Sequence, residues 1–149
     1  FINAKKSIPE ETKRLLLGDI KRLSIDNENR ICHGDYHAMN VLRENSHYAV
    51  IDWVLAARGN AAADVAGTYL ITRVYSRYAE GKSIFRRFMS AIGGAICANV
   101  YLKEYIAITQ MDRQKILQWI PVRAATYIDV GLPFRLEQIF QRIIEKQYK

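Results

Sequence analysis

Apolar positions along the chain follow two different periods, and the changeover between them outlines the architecture. Ser7-Ile8-Pro9-Glu10 has the S-x-x-E form of a helix start, with proline in the first turn, where an N–H has no partner anyway. Leu16, Leu17, Ile20 and Leu23 then recur at helical spacing, which predicts an amphipathic helix ending near Leu23. A polar turn, Asp26-Asn27-Glu28-Asn29, leads into a short run, Arg30-Ile31-Cys32-His33. Val41-Leu42-Arg43 and Tyr48-Ala49-Val50-Ile51 flank Glu44-Asn45-Ser46-His47, and two β-prone runs about a polar four-residue turn predict a hairpin.

Past Arg58-Gly59-Asn60 the period becomes helical and stays so. A helix is expected over about 62–80, with Asp64 in its first turn and Val65, Tyr69, Leu70 and Val74 as core positions. Another is expected over about 83–108, loosened or bent at Gly93-Gly94. A third is expected over about 112–129 with a kink at Pro121, closed by Gly131-Leu132-Pro133. The last covers about 134–147. The fold class is therefore mainly α (α+β), a helical body carrying one small β-hairpin. The aromatics Tyr101, Tyr105, Trp119 and Tyr127, at helical spacing, are core residues first.

The hairpin has a geometric consequence. If Arg43 pairs with Tyr48, Asn40 falls opposite Ile51, within one residue of Asp52. An amide and a carboxylate thus meet at the open end of the ladder. Five residues before Asn40 stands a second carboxylate, Asp35, on a loop that begins His33-Gly34. Gly34 gives that loop room for tight backbone geometry.

An acid, an amide and a second acid suit phosphoryl transfer from a nucleoside triphosphate. That reaction needs a divalent metal bridging the phosphates and a carboxylate that orients the attacking hydroxyl. Magnesium takes oxygen ligands, commonly one or two carboxylates plus substrate phosphates. Asp52 suits the metal, Asn40 adds a neutral oxygen without repulsion, and Asp35 could accept or position the hydroxyl proton. An isolated Asp–Asn pair at a turn is usually local hydrogen bonding, but the joint spacing of five positions argues against that here. Cys32, His33 and His37 match no compact zinc spacing; Cys32 is expected to pack under the loop, and Trp53 to pack rather than stack on a ligand.

His33 to Leu42 and Ile51-Asp52-Trp53, continued by Val54 to Asn60 and Asp64-Val65-Ala66, resemble the aminoglycoside phosphotransferase and choline kinase-like family. The likeness is specific over about residues 31–70 and continues more weakly through Trp119 to Arg123 and Ala124. It implies the two-lobed protein-kinase fold, with Asp35 as catalytic base, His33 organising its loop, Asn40 and Asp52 as magnesium ligands, and Asp64 bracing the loop. One departure is visible: Ala38-Met39 stands where family loops often carry Pro-Gly, away from the base and metal positions. ATP (or GTP) would be the phosphoryl donor and a small hydroxyl compound the acceptor.

No G-x-G-x-x-G and no evident strand lysine occur in the chain, so the nucleotide-gripping lobe is expected to precede Phe1. Residues 1–149 are then the C-terminal lobe alone, inactive in isolation, and the face left bare would allow dimerisation.

Composition narrows this picture. The chain has 149 residues, half of them apolar, which suits one domain with a real core rather than disorder. No apolar run is long enough to span a bilayer, and no secretory leader is evident. Two cysteines without C-x-x-C spacing fit a reducing cytoplasm. The net charge of +7 arises entirely from residues 65–149, which carry thirteen basic and six acidic side chains. Only Arg86-Arg87 forms a tight basic pair, so solvated helix faces are favoured over a nucleic-acid site, and neither nucleic acid nor membrane is an expected partner.

The same surplus weakly disfavours a polycationic aminoglycoside as acceptor, although Glu104, Asp112, Asp129 or Glu137 could converge on the site. A neutral or anionic hydroxyl-bearing metabolite is at least as plausible. Two rivals stay open: a protein kinase relative, disfavoured by His33-Gly34-Asp35 and Ile51-Asp52-Trp53, and a non-catalytic scaffold, disfavoured by the intact acids.

Overall fold

A computed structural model describes residues 2–25, 29–76 and 83–148. Helix α1 spans Glu10–Leu23, β1 Arg30–Cys32, β2 Val41–Glu44, β3 His47–Val50 and β4 Ala57–Gly59. The helical part comprises α2 (Ala61–Tyr75), α3 (Ile84–Thr109), α4 (Arg113–Leu117), α5 (Ile120–Thr126) and α6 (Phe134–Tyr148). The fold is mainly helical α+β with small antiparallel sheets. No helix among the described residues is long and apolar enough to cross a membrane.

Helix α2 is the axis of the body. Ala62, Val65, Ala66, Tyr69, Leu70, Ile71 and Val74 are all buried, so it is apolar on several faces rather than along one stripe. Asn60 starts it as an N-cap, its side-chain oxygen accepting from the N–H groups of Ala62 and Ala63 at 2.9 and 3.3 Å. Helices α3, α4, α5 and α6 pack around it. Glycine permits the closest of these approaches: a Cβ on Gly94 of α3 would lie 1.9 Å from Ser76 Oγ. The Gly93-Gly94 pair was expected to loosen or bend the helix; α3 runs unbroken, and Gly94 serves helix contact instead. The expected extension of α2 toward Glu80 falls on residues 77–82, and the turn Asp26-Asn27-Glu28 on 26–28, both outside the described residues.

The single helix expected over 112–129 is two. Pro121 has no N–H for the carbonyl of Leu117, so α4 stops at Leu117 and the proline sits in the first turn of α5, where a missing donor costs nothing. At the amino end, Ser7 does not cap α1 as its S-x-x-E setting predicts. Its hydroxyl and backbone N–H go to the carboxylate of Asp129 instead, the latter at 2.9 Å. Tyr148 donates to Asp19 at 2.7 Å and ties α6 to α1, while Phe140 stacks on Tyr127 with ring centres 4.7 Å apart. Trp119 is buried and Tyr101, Tyr105 and Tyr127 pack against the core cluster, as their spacing predicts.

Both sheets lie on the site side of the chain. Strands β2 and β3 pair with Arg43 opposite Tyr48, the register the sequence predicts. The ladder extends to Glu44–His47, so the turn is the two residues Asn45-Ser46 rather than four, with Asn45 at φ 53°. The second sheet was not expected: β1 pairs with β4, Cys32 opposite Ala57 and Arg30 opposite Gly59. It fixes the chain on either side of the loop segments that carry the candidate site.

Candidate active site

The loop from His33 to Asn40 leaves β1 and is pinned from two sides. From below, Asp64 in the first turn of α2 accepts two consecutive backbone N–H groups, those of His33 at 2.8 Å and Gly34 at 2.9 Å. A carboxylate that accepts two amides holds the backbone in one orientation. Gly34 sits at φ +84°, and a Cβ there would lie 2.5 Å from the carbonyl oxygen of Leu55. Only glycine fits that position.

From the other side, the buried ring of His33 ties the loop to the second segment. Asp35 directs its N–H at Nδ1 of His33, 3.3 Å away, so Nδ1 accepts. Nε2 therefore carries the proton and donates it to the carbonyl of Ile51 at 2.9 Å. Trp53 stacks obliquely on the same imidazole, ring centres 4.6 Å apart, and donates its indole N–H to Val50 at 2.9 Å. Half of the side chain stays exposed. Cys32 is buried beneath the loop, and burial pushes its thiol above the ordinary range.

Asn40 joins the acids. It is buried; its side-chain amide donates to the carbonyl of Asp35 at 2.9 Å, and its own carbonyl accepts from the N–H of Ile51 at 2.9 Å. The second bond is the contact that the hairpin register predicts beside Asp52. Asp52 itself adopts φ 62°, ψ 59°, a left-handed conformation that aspartate tolerates better than most residues. It turns the chain out of β3 into the short Trp53–Leu55 turn. With its nitrogen engaged by the Asp35 carbonyl, the Asn40 side chain keeps its oxygen as the remaining acceptor. Among the described residues no three His, Cys, Asp or Glu groups converge as a metal cage.

Asp35 opens on a cavity of about 760 Å³ between the loop, α2 and α5. His37 Nε2 stands 3.6 Å from its Oδ2, too far for a good hydrogen bond. Arg123 of α5 completes the wall. Its Nη2 donates to the carbonyl of Gly34 at 2.9 Å, while its Nε is buried with no hydrogen-bond partner. The guanidinium lies over Gly67, where a Cβ would come within 2.7 Å of it. Sequence reasoning did not single out Arg123 as a site residue; the weak likeness from Trp119 to Arg123 was the one available hint.

Hydrogen bonds therefore link His33, Asp35, Asn40 and Asp64 in one loop system and tie to it Ile51, the residue before Asp52, with Asp35 on the cavity side. The model of the phosphotransferase enzyme family matches residues 8–95, more than half of the chain, and the chain belongs to that family. The match contains these four residues and Asp52, whereas Arg123 and the α5 side of the cavity lie beyond it. A search of curated proteins and a search of solved structures each found no match.

Proposed function

We propose that this chain is the catalytic, metal- and acceptor-binding lobe, residues 1–149, of a kinase that moves the γ-phosphoryl group of ATP (or GTP) to a hydroxyl of a small molecule. The observation that carries the reading is the double engagement of Asn40, which couples the Asp35 loop to the Ile51-Asp52 segment.

Each residue has a role in that scheme. Asp35 orients the acceptor hydroxyl and takes its proton as the oxygen attacks the γ-phosphorus. The new O–P bond forms as the bond to the bridging oxygen breaks, and the nucleoside diphosphate leaves with that electron pair. Asn40 and Asp52 would hold magnesium, which supplies charge compensation on the phosphates. His33 and Asp64 touch no reacting atom; they are positioning residues that keep Asp35 and Asp52 in register.

The nucleotide grip would come from a lobe preceding this chain, without which the chain is inactive. Apolar side chains left in solvent around the hairpin, among them Leu42, Tyr48, Trp53 and Val54, support a covering lobe there, or a second copy in its absence. Two free cysteines and an ATP-dependent reaction fit the cytoplasm.

The test is ADP formation by the complete protein with magnesium-ATP and a panel of small hydroxyl compounds and protein substrates. Turnover on small alcohols that is abolished by Asp35→Asn and by Asp52→Asn is the expected result. Preference for proteins would move the assignment to the protein kinases, and nucleotide binding without turnover on any acceptor would make the chain a scaffold.

A further inference from the structure

The cavity beside Asp35 is large enough for a drug-sized ligand, and its lining is unlike that of a site for cations. The exposed wall is mostly apolar, and Leu55, Ile71, Tyr75, Tyr127, Val130 and Leu132 are among its lining residues. Among the described lining residues Asp35 is the single carboxylate, and Arg123 places a guanidinium in the same wall. Asp129, Glu137, Asp112 and Glu104, which could have converged here, line no part of the cavity. Asp129 accepts from Ser7, Glu137 accepts from the N–H of Asp129 at 2.8 Å, and Asp112 caps α4 by accepting from Gln114 at 2.9 Å. Glu104 lies on the exposed side of α3.

Burial pushes the Tyr127 phenol up to about 12 and raises that of Tyr75, so both present neutral O–H groups. A polyammonium ligand entering here would lose water from each charge and meet one carboxylate in return, with Arg123 opposing it. An aromatic or aliphatic ligand would lose little and cover apolar wall.

We propose that the acceptor is an alcohol carried on an uncharged, largely apolar scaffold, and that the α2–α5 wall excludes polycationic acceptors. The proposal rests on the phosphotransferase reading for the word acceptor; the class of ligand that the cavity takes rests on the lining alone.

Binding and turnover separate the two. Calorimetric titration of the complete protein with 2-(2-naphthyl)ethanol, sorbitol and kanamycin should show the naphthyl alcohol bound at least tenfold tighter than either polar compound. Val130→Asp, at a half-exposed position on the rim, should weaken the naphthyl alcohol tenfold or more while Val130→Ile leaves it within about twofold. Thermal unfolding of both variants reports whether they remain folded. Undetectable binding of the naphthyl alcohol, tighter binding of kanamycin or sorbitol, or indifference to Val130→Asp in a folded protein would overturn the proposal. Naphthyl alcohol that binds in this way but is never phosphorylated with magnesium-ATP would instead remove the kinase reading and leave the ligand class standing.

Discussion

Asn40 donates its side-chain amide to the backbone carbonyl of Asp35 at 2.9 Å, so the residue proposed to hold metal fixes the loop that carries the proposed base. Removing the amide should damage both at once. Asn40→Ala leaves a part-buried carbonyl without its donor, a loss of about 1–3 kcal/mol in stability. It also frees Asp35 to shift, and a shift of about 1 Å at a reacting group can lower the rate about 100-fold. Asn40→Asp should be as inactive for a different reason: it keeps an oxygen for metal but turns an acceptor toward the Asp35 carbonyl. Steady-state kinetics with denaturant unfolding checks both; an Asn40→Asp variant with wild-type turnover would refute the coupling.

Asp64 acts through geometry alone. Its two charge-assisted bonds to His33 and Gly34 are each of a kind worth about 1.5–3 kcal/mol, discounted for partial burial. Asp64→Ala should therefore destabilise the fold by roughly 3 kcal/mol, or about 6–12 °C in Tm for a chain of this size. Asp64→Asn retains one acceptor and should lose about half as much. Calorimetry measures both, and an Asp64→Ala variant melting with wild type would show that the brace is not needed.

Glycine substitutions should separate a site position from a helix position. Gly34→Ala must place a Cβ 2.5 Å from the Leu55 carbonyl at φ +84°, where L residues are strained by about 1–3 kcal/mol before the clash is counted. Loss of activity and a fall in Tm are expected together. Gly18, inside α1, has nothing within 4 Å of its absent Cβ. Gly18→Ala should raise stability by about 0.5–1 kcal/mol through helix propensity and leave activity unchanged. A destabilised Gly18→Ala protein would contradict the placement of that helix face.

Local patterns foretold what local physics controls. The β2–β3 register, and with it the Asn40–Ile51 contact, was legible because two β-prone runs about a short polar turn pair over ten residues. Asp64 was legible as a first-turn acid. Other features depended on partners distant in sequence. Ser7 resembles a helix cap, but its hydroxyl meets Asp129, which lies 122 residues away. Strand β4 is three residues long, too short to show a period, and exists because β1 pairs with it. Arg123 was not singled out because its role arises only where α5 crosses α2 over Gly67.

Alkaline pH should expose the tyrosines that line the core. Burial, chiefly, holds the Tyr101 and Tyr127 phenols at about 12, above the ordinary value near 10; for Tyr127 the Asp35 carboxylate and Tyr75 add to this and Arg123 opposes it. The folded state therefore keeps these protons after the unfolded chain has lost them. Their contribution is complete below pH 10 and disappears as pH rises through about 12, at most on the order of 2–3 kcal/mol for each phenol. Stability should fall across that window. Tyr127→Phe keeps the stack on Phe140 but has no proton to lose. It should match wild type closely near neutrality and be more stable above pH 12. Urea unfolding from pH 8 to 12.5 would show the two curves diverging; parallel curves would mean that Tyr127 ionises no differently in the folded and unfolded chain.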